Sequence, residues 1–245
     1  MFLGIDIGNT NINYALFKKG SIIYKSFIPT EEYNLKKLKN IKVKDIECVI
    51  ICSVVPSLLI KLKKDLKKIL KKRIYIIGKE IKLPIKNLYR RPEQVGQDRL
   101  LNAYAGVNFY GAPCIVVDLG TALTFDVISK DRAYLGGFIL PGFSISLKAL
   151  AENTALLPKL KLAKPKDFIG QDTINSILGG LTYGFAILVD GLIQKIKEKV
   201  GAKTKVILTG GDAEFLFPYC KNIDILDPDL IIKGLNLCYE QILKK

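Results

Sequence analysis

Histidine is absent from the 245 residues, and so is tryptophan. The first absence excludes a Ser-His-Asp triad, a Cys-His dyad and any histidine-ligated metal. General-base chemistry must then fall to Asp, Glu, Lys, Tyr or Cys. For a hydroxyl nucleophile near neutral pH, a carboxylate is the natural candidate. Cysteine is scarce as well. Cys48, Cys52, Cys114, Cys220 and Cys238 form an odd set with no CxxC pair, and most sit inside apolar runs. They read as small buried hydrophobes in a reducing compartment, because a zinc or iron–sulfur site needs closer thiol spacing. Apolar runs such as Cys48–Pro56 fall far short of the roughly 20 residues of a membrane helix. The opening MFLGIDIGNT carries no basic leader, so the expectation is a cytoplasmic chain with no signal peptide and no membrane partner.

Acidic residues are the last shortage, 23 against 38 Lys and Arg, which leaves a net charge of +15. A positive field of this size can attract nucleic acid. Against that reading, the lysines are spread along the chain, and the densest run, Lys61–Arg73, has helical periodicity. Leu58, Leu59, Leu62, Leu66, Ile69 and Leu70 fall on one face, with basic residues around it. This is the pattern of a solvated helix face, so no nucleic-acid partner is expected. The same field would favour the approach of small anionic substrates.

What the chain does have is a repeat. Residues 2–28 read as an apolar strand (FLGID), a turn (IGNT), a second strand (NINYALF), a Lys-Lys-Gly turn and a third strand (SIIYKSFI). Residues 114–140 read the same way: CIVVDLG, a turn at Gly120–Thr121, ALTFDVI, a Ser-Lys-Asp-Arg turn and AYLGGFIL. Helix and strand segments alternate after each copy. Helices are expected over Ser57–Lys72, Val95–Asn108, Ser144–Asn153 and Thr173–Lys199. A last one is capped at Asp227 with Pro228 at its first position. Pro158–Gln171 reads as an exposed loop, and two lobes, 1–111 and 112–245, are expected to meet near Gly111–Pro113.

Both copies place Asp-x-Gly with a nearby threonine at the end of the first strand. In Asp6-Ile7-Gly8-Asn9-Thr10, a carboxylate at a strand end followed by glycine makes a turn that backbone can bring close to phosphate oxygens. Asn9, Thr10 and Asn11 add neutral donors, and Asp6 can hold Mg²⁺ through water. An ordinary hairpin turn uses the same residues. The second copy, Asp118-Leu119-Gly120-Thr121, with Thr209-Gly210-Gly211-Asp212 after a strand, favours a nucleotide held between paired lobes and a phosphotransferase.

DIGNT, GQDRL at 96–100, DLGTALTFD at 118–126, GGFILPG at 136–142 and TGGDAEFL at 209–216 together resemble type III pantothenate kinase. That family belongs with actin, the sugar kinases and Hsp70-like ATPases. The resemblance implies an α/β fold of two ribonuclease H-like, actin-like ATPase lobes with the nucleotide cleft between them. It implies ATP-dependent phosphorylation of pantothenate to 4′-phosphopantothenate, the first step of coenzyme A biosynthesis. Residue by residue, it implies that Asp6, Ile7, Gly8, Asn9, Thr10, Asn11, Ile12 and Asn13 bind ATP, with Thr121 also in contact. Gly96, Gln97, Asp98 and Arg99 would bind pantothenate, Asp98 being the proton acceptor, and Tyr89 and Thr173 would touch the same substrate. Asp118 would bind a monovalent cation, K⁺ or NH₄⁺, alongside Mg²⁺. Asn13 stands where several relatives carry lysine. A homodimer through the second lobe is also implied, consistent with apolar stretches at 144–157 and 174–193.

The residues themselves agree with that assignment of Asp98. A carboxylate beside Arg99 stays ionised and can accept a proton as a hydroxyl attacks phosphorus. A surface ion pair is the plain alternative. Two other functions stay open on sequence: another small-molecule kinase of the same superfamily, which would share the phosphate motifs, and a non-catalytic regulatory protein on this fold.

Overall fold

The computed structural model describes residues 1–39 and 45–243, and in it the repeat becomes topology. Strands β1 (Phe2–Ile7), β2 (Asn11–Lys18) and β3 (Ser21–Pro29) form an antiparallel meander. Helix α1 (Leu35–Lys39), β4 (Cys48–Ser53), α2 (Pro56–Ile69) and β5 (Arg73–Ile76) follow, and β4 and β5 join in parallel to give the order β3-β2-β1-β4-β5. After β6 (Lys86–Asn87) and α3 (Gln97–Tyr110), the second copy begins with β7 (Cys114–Leu119), β8 (Ala122–Ile128) and β9 (Ala133–Pro141). Helices α4 (Phe143–Glu152) and α5 (Thr173–Val200), β10 (Lys205–Thr209), α6 (Ala213–Leu216), β11 (Ile225–Leu226) and α7 (Leu230–Leu243) complete the chain. Its sheet is β11-β10-β7-β8-β9-β6, the first sheet's order with one strand added at the meander edge.

Local chemistry accounts for these elements. The β2–β3 connection is the two residues Lys19-Gly20 at φ 49° and 81°, both in the left-handed range that a tight hairpin of this hand requires. All six residues of β1 are buried, as befits a central strand covered on both faces. Pro56 starts α2, where its missing N–H costs nothing, and Leu62 and Leu66 turn inward while Lys61, Lys64, Lys67 and Lys68 stay exposed.

The described residues fall into two compact units, one drawn from 1–39, 45–85, 90–105 and 230–243 and the other from 86–89 and 106–229. In the first unit, Leu3, Ile5, Ile7, Val49 and Ile51 pack under Leu62 and Leu66. The opposite face of that sheet, with Phe2, Cys48, Ile50 and Cys52, is covered by Leu101 of α3 and by Ile232, Leu235 and Cys238 of α7. The last helix thus packs with the first unit, although a cut at 111/112 would assign it to the second. Gly4 makes this possible, since a Cβ there would lie 3.1 Å from Leu235 Cδ1. Helix α7 starts at Leu230 rather than beside an Asp227 cap; the Asp227 carboxylate instead accepts hydrogen bonds from Tyr110 Oη (2.7 Å) and Asp229 N (3.2 Å).

In the second unit the core lies between β7, β8 and β10 and the buried side of α5, through Ala186, Val189, Ile193 and Ile196. By length and composition α5 is apolar enough to cross a membrane, which the short uninterrupted runs had not suggested. Through those four residues one side of it packs into the core of this unit. Residues 154–172 carry no helix or strand, as their Lys and Pro content predicts.

Candidate active site

In the first unit β1 and β4 run parallel with Asp6 opposite Cys52 in register. Asp6 is 8% exposed, and its Oδ2 accepts a hydrogen bond from Asn13 Nδ2 at 3.3 Å. The turn beyond it is tied on both sides. Gly8 N donates to Asn11 O (2.9 Å), Thr30 N donates to Thr10 O (2.8 Å), and Thr30 Oγ1 donates to Gly8 O (2.9 Å). Asn9 and Thr10 are exposed and Asn11 half-buried, so this turn can present polar groups to a ligand. Ile7 and Ile12 are core residues, so only their backbone could serve the expected nucleotide contact. Thr30 was not singled out from the sequence. Only the β2–β3 register, which sets Asn11 opposite Pro29, brings it to the turn.

Asp98 occupies the first turn of α3, where the positive end of the helix favours a carboxylate. Its Oδ1 accepts from Arg99 N at 2.8 Å and lies so close over Gly96 that a Cβ at that position would collide with it. Glycine at 96 is therefore a packing requirement of the aspartate two residues on. Burial raises the Asp98 pKa above the usual aspartate value; the backbone hydrogen bond and the charge of Arg99 pull the other way and are outweighed. The buried Cys52 thiol is pushed well up, first by burial and then by the negative charges of Asp6 and Asp98. The first unit thus gathers both carboxylates around the end of β4. The Gln97 side chain, expected at the substrate, packs on Gly78.

Three motifs meet in the second unit at the end of β7. The turn after Asp118 is closed by Gly120 N donating to Ala122 O at 3.0 Å. Gly142 N donates to Thr121 O, and Asp212 N donates to Leu119 O, both at 3.0 Å. A Cβ on Gly142 would sit 2.7 Å from Thr121 O, and one on Gly210 would lie 2.5 Å from Asp118 Oδ1 and 2.6 Å from the Leu119 carbonyl carbon. The glycines of GGFILPG and TGGD are thus the surfaces on which the Asp118–Thr121 turn rests. Burial raises the pKa of Asp212 in the same cluster.

Tyr89 sits on β9. Leu88 N donates to Tyr134 O (2.9 Å), Tyr89 N donates to Asn87 Oδ1 (3.0 Å), and the ring lies against Gly136 and at 6.5 Å from the Tyr134 ring. With 36% of its surface exposed, the tyrosine has a supported edge and an open one. Thr173 is the exposed first residue of α5 and is not its cap. Asp172 caps it, accepting from Asn175 N (2.7 Å) and Asn175 Nδ2 (2.6 Å). The sequence-predicted residues therefore fall into two sets: Asp6–Asn13 with Gly96–Arg99 in one unit, and Tyr89, Asp118, Thr121 and Thr173 in the other.

No group of 3 or more Cys, Asp and Glu among the described residues could hold a metal ion. A cation here would draw on one or two carboxylates and on phosphate and water oxygens, the usual arrangement for Mg²⁺ at a nucleotide. Asp6 and Asp118, each at a strand end beside a glycine turn, fit that donor chemistry.

A family model described as type III pantothenate kinase matches residues 2–195. Among solved structures, a conserved putative Baf family transcriptional activator from Campylobacter jejuni is similar at a TM-score of 0.64 and 22% identity, over 100% of both chains. The activator of 2-hydroxyisocaproyl-CoA dehydratase from Clostridium difficile, with bound ADPNP, gives 0.54 at 12% identity over 99% of this chain and 96% of that one. MreB 5 of Spiroplasma citri bound to AMPPNP gives 0.55 at 11% identity, over 99% and 97%. At these identities the structures speak to the fold alone, and the fold is that of the actin-like ATPases. The family match supports an ATP-dependent phosphotransferase acting on a small molecule.

Proposed function

The chain belongs to the type III pantothenate kinase family, and from that premise we propose that it transfers the γ-phosphoryl group of ATP to the hydroxyl of pantothenate. The product would be 4′-phosphopantothenate, the first step of coenzyme A biosynthesis, made by a cytoplasmic homodimer. The observation that carries this reading is the half-buried Asp98 in the first turn of α3, in the same unit as Asp6, in a chain without histidine. As the acceptor oxygen bonds to the γ-phosphorus, its proton passes to Asp98 and the bond to ADP breaks. Positioning and charge stabilisation do most of the work in such transfers. Mg²⁺ would be held on Asp6 and a monovalent cation on Asp118; when bound they neutralise phosphate charge. A coupled ADP-release assay with pantothenate, a set of sugars and acetate tests the acceptor: release with pantothenate alone is expected, and release with a sugar alone would replace the reading. A monomer mass in solution would remove the dimer.

Two variants separate the acceptor residues from the nucleotide ones. Tyr89 can lay its ring on an aliphatic substrate while its hydroxyl makes a hydrogen bond. Thr173 offers an exposed hydroxyl at the first position of α5, next to the Asp172 cap. Tyr89→Ala and Thr173→Ala are each expected to raise the KM for pantothenate by roughly tenfold, the worth of about 1.4 kcal/mol of binding, and to leave the KM for ATP within twofold. Equal shifts in both constants would make the pair structural.

Omitting K⁺ and NH₄⁺ while keeping Mg²⁺ is expected to abolish most turnover, because Asp118 then lacks its counter-ion. Full activity in a buffer of bulky organic cations would count against that assignment.

A further inference from the structure

The Gln97 side chain sits on a glycine. A Cβ on Gly78 would fall 2.7 Å from Gln97 Cδ, 2.8 Å from its Oε1 and 3.0 Å from its Cγ. Gly78 has φ 85°, a conformation that glycine adopts without cost and other residues do not. Its own turn is firmly built. Gly78 N donates to Ile81 O (2.8 Å), Lys79 N to Ile76 O (3.1 Å), and Ile77 N to Ile51 O of β4 (2.9 Å). The next residue but one, Glu80, accepts from Ile76 N at 3.0 Å. The surface under Gln97 is therefore a braced turn that hangs from the strand carrying Cys52, opposite Asp6 in register.

Asp98 follows Gln97 directly and has little freedom of its own, since its Oδ1 is clamped between Arg99 N and the bare face of Gly96. What remains to be fixed is where the first turn of α3 stands relative to β4. Helix ends fray, and the first turn leaves its N–H groups without partners from the helix. Gln97 on Gly78 ties that first turn to the end of the sheet.

Resting on the kinase reading above, we infer that Gln97 is a positioning residue for Asp98, with Gly78 as its seat, and that its side chain does not contact the acceptor. A Cβ at 78 and a long side chain at 97 compete for the same space. Adding a Cβ at 78 or shortening the side chain at 97 should each move the base, and doing both should cost no more than shortening 97 alone.

Four variants test this: Gln97→Ala, Gly78→Ala, the double variant, and Gln97→Met, which keeps the length of the side chain without its amide. Gln97→Ala is expected to lower kcat about tenfold with the pantothenate KM within twofold, the signature of lost transition-state alignment. Gly78→Ala should do likewise, the double variant should lie within twofold of Gln97→Ala, and Gln97→Met should recover most of kcat. Amide hydrogen exchange supplies a readout free of substrate: protection of the Arg99 N–H, which bonds Asp98, should fall at least tenfold in Gln97→Ala and return in Gln97→Met. A rise in pantothenate KM at constant kcat, multiplying effects in the double variant, or unchanged exchange would each overturn the inference. An inactive parent protein would overturn the pantothenate reading alone, and the exchange result would still decide the role of Gln97.

Discussion

Asp98→Asn should lower kcat by about 10²–10⁴-fold, the usual worth of a general base, while ATP binding survives. Asparagine keeps the shape over Gly96 and an oxygen for Arg99 N, so the loss would report the missing base rather than a collapsed turn. The raised pKa gives the same residue two pH signatures. The carboxylate works only when ionised, so the acid limb of kcat/KM should fall through a pKa above the ordinary aspartate value of 3.8. Stability should run the opposite way. A folded-state pKa above the unfolded one means that the fold prefers the protonated acid. That preference adds stability below the unfolded pKa and is lost as pH rises through the folded pKa. At neutral pH the ionised Asp98 is thus a cost that asparagine does not carry. Asp98→Asn is expected to melt higher than the parent at pH 7, with the gap closing near pH 3. A variant that is inactive and melts lower at pH 7 would mean that Asp98 holds the turn together instead.

Gly210→Ala is expected to damage the second unit through both backbone strain and a clash. Position 210 has φ 102°, and the new Cβ would press on Asp118 Oδ1 and on the Leu119 backbone, which is β-sheet and cannot retreat. Backbone strain and overpacking together should cost about 2–4 kcal/mol, or roughly 5–15 °C in melting temperature for a chain of this size. The turn at Asp118–Thr121 should shift with it, so the KM for ATP should rise more than that for pantothenate. Gly211→Ala, which meets open space, is the control and should change little. Similar behaviour of the two variants in melting and kinetics would show that the turn does not depend on its glycine floor.

The two meanders were legible because alternating apolar residues, Lys-Gly and Gly-Thr turns and Asp-x-Gly ends are all local signals. The sheet orders follow from them once β4 and β10 add in parallel. The two-residue strands β6 and β11 left no periodicity to read, and neither could be placed without its partner. Helix α7 was expected as a helix, but its home was not readable. What holds it to the first sheet is the notch at Gly4 and the fit of its Gly234 against Leu101, contacts between residues far apart in sequence. The site shows the same division. Asp6, Asp98 and Asp118 announce themselves as carboxylates at strand or helix ends beside glycine. The seats beneath them, Gly78 under Gln97 and Gly142 and Gly210 around the Asp118 turn, depend on chain crossings that no local pattern records. Thr30 belongs with these, since nothing near it in sequence marks it as the brace of the Gly8 turn.

Transfer of phosphate from ATP to pantothenate, the proposed reaction, is decided by identifying the product. The protein, incubated with Mg²⁺, K⁺, ATP and pantothenate, should yield a product heavier than pantothenate by one phosphoryl group, carried on its primary hydroxyl, in amounts matching the ADP formed. Asp98→Asn should yield almost none over the same time. ADP formation without phosphorylated pantothenate, or phosphate appearing on a different acceptor in preference to it, would contradict the account.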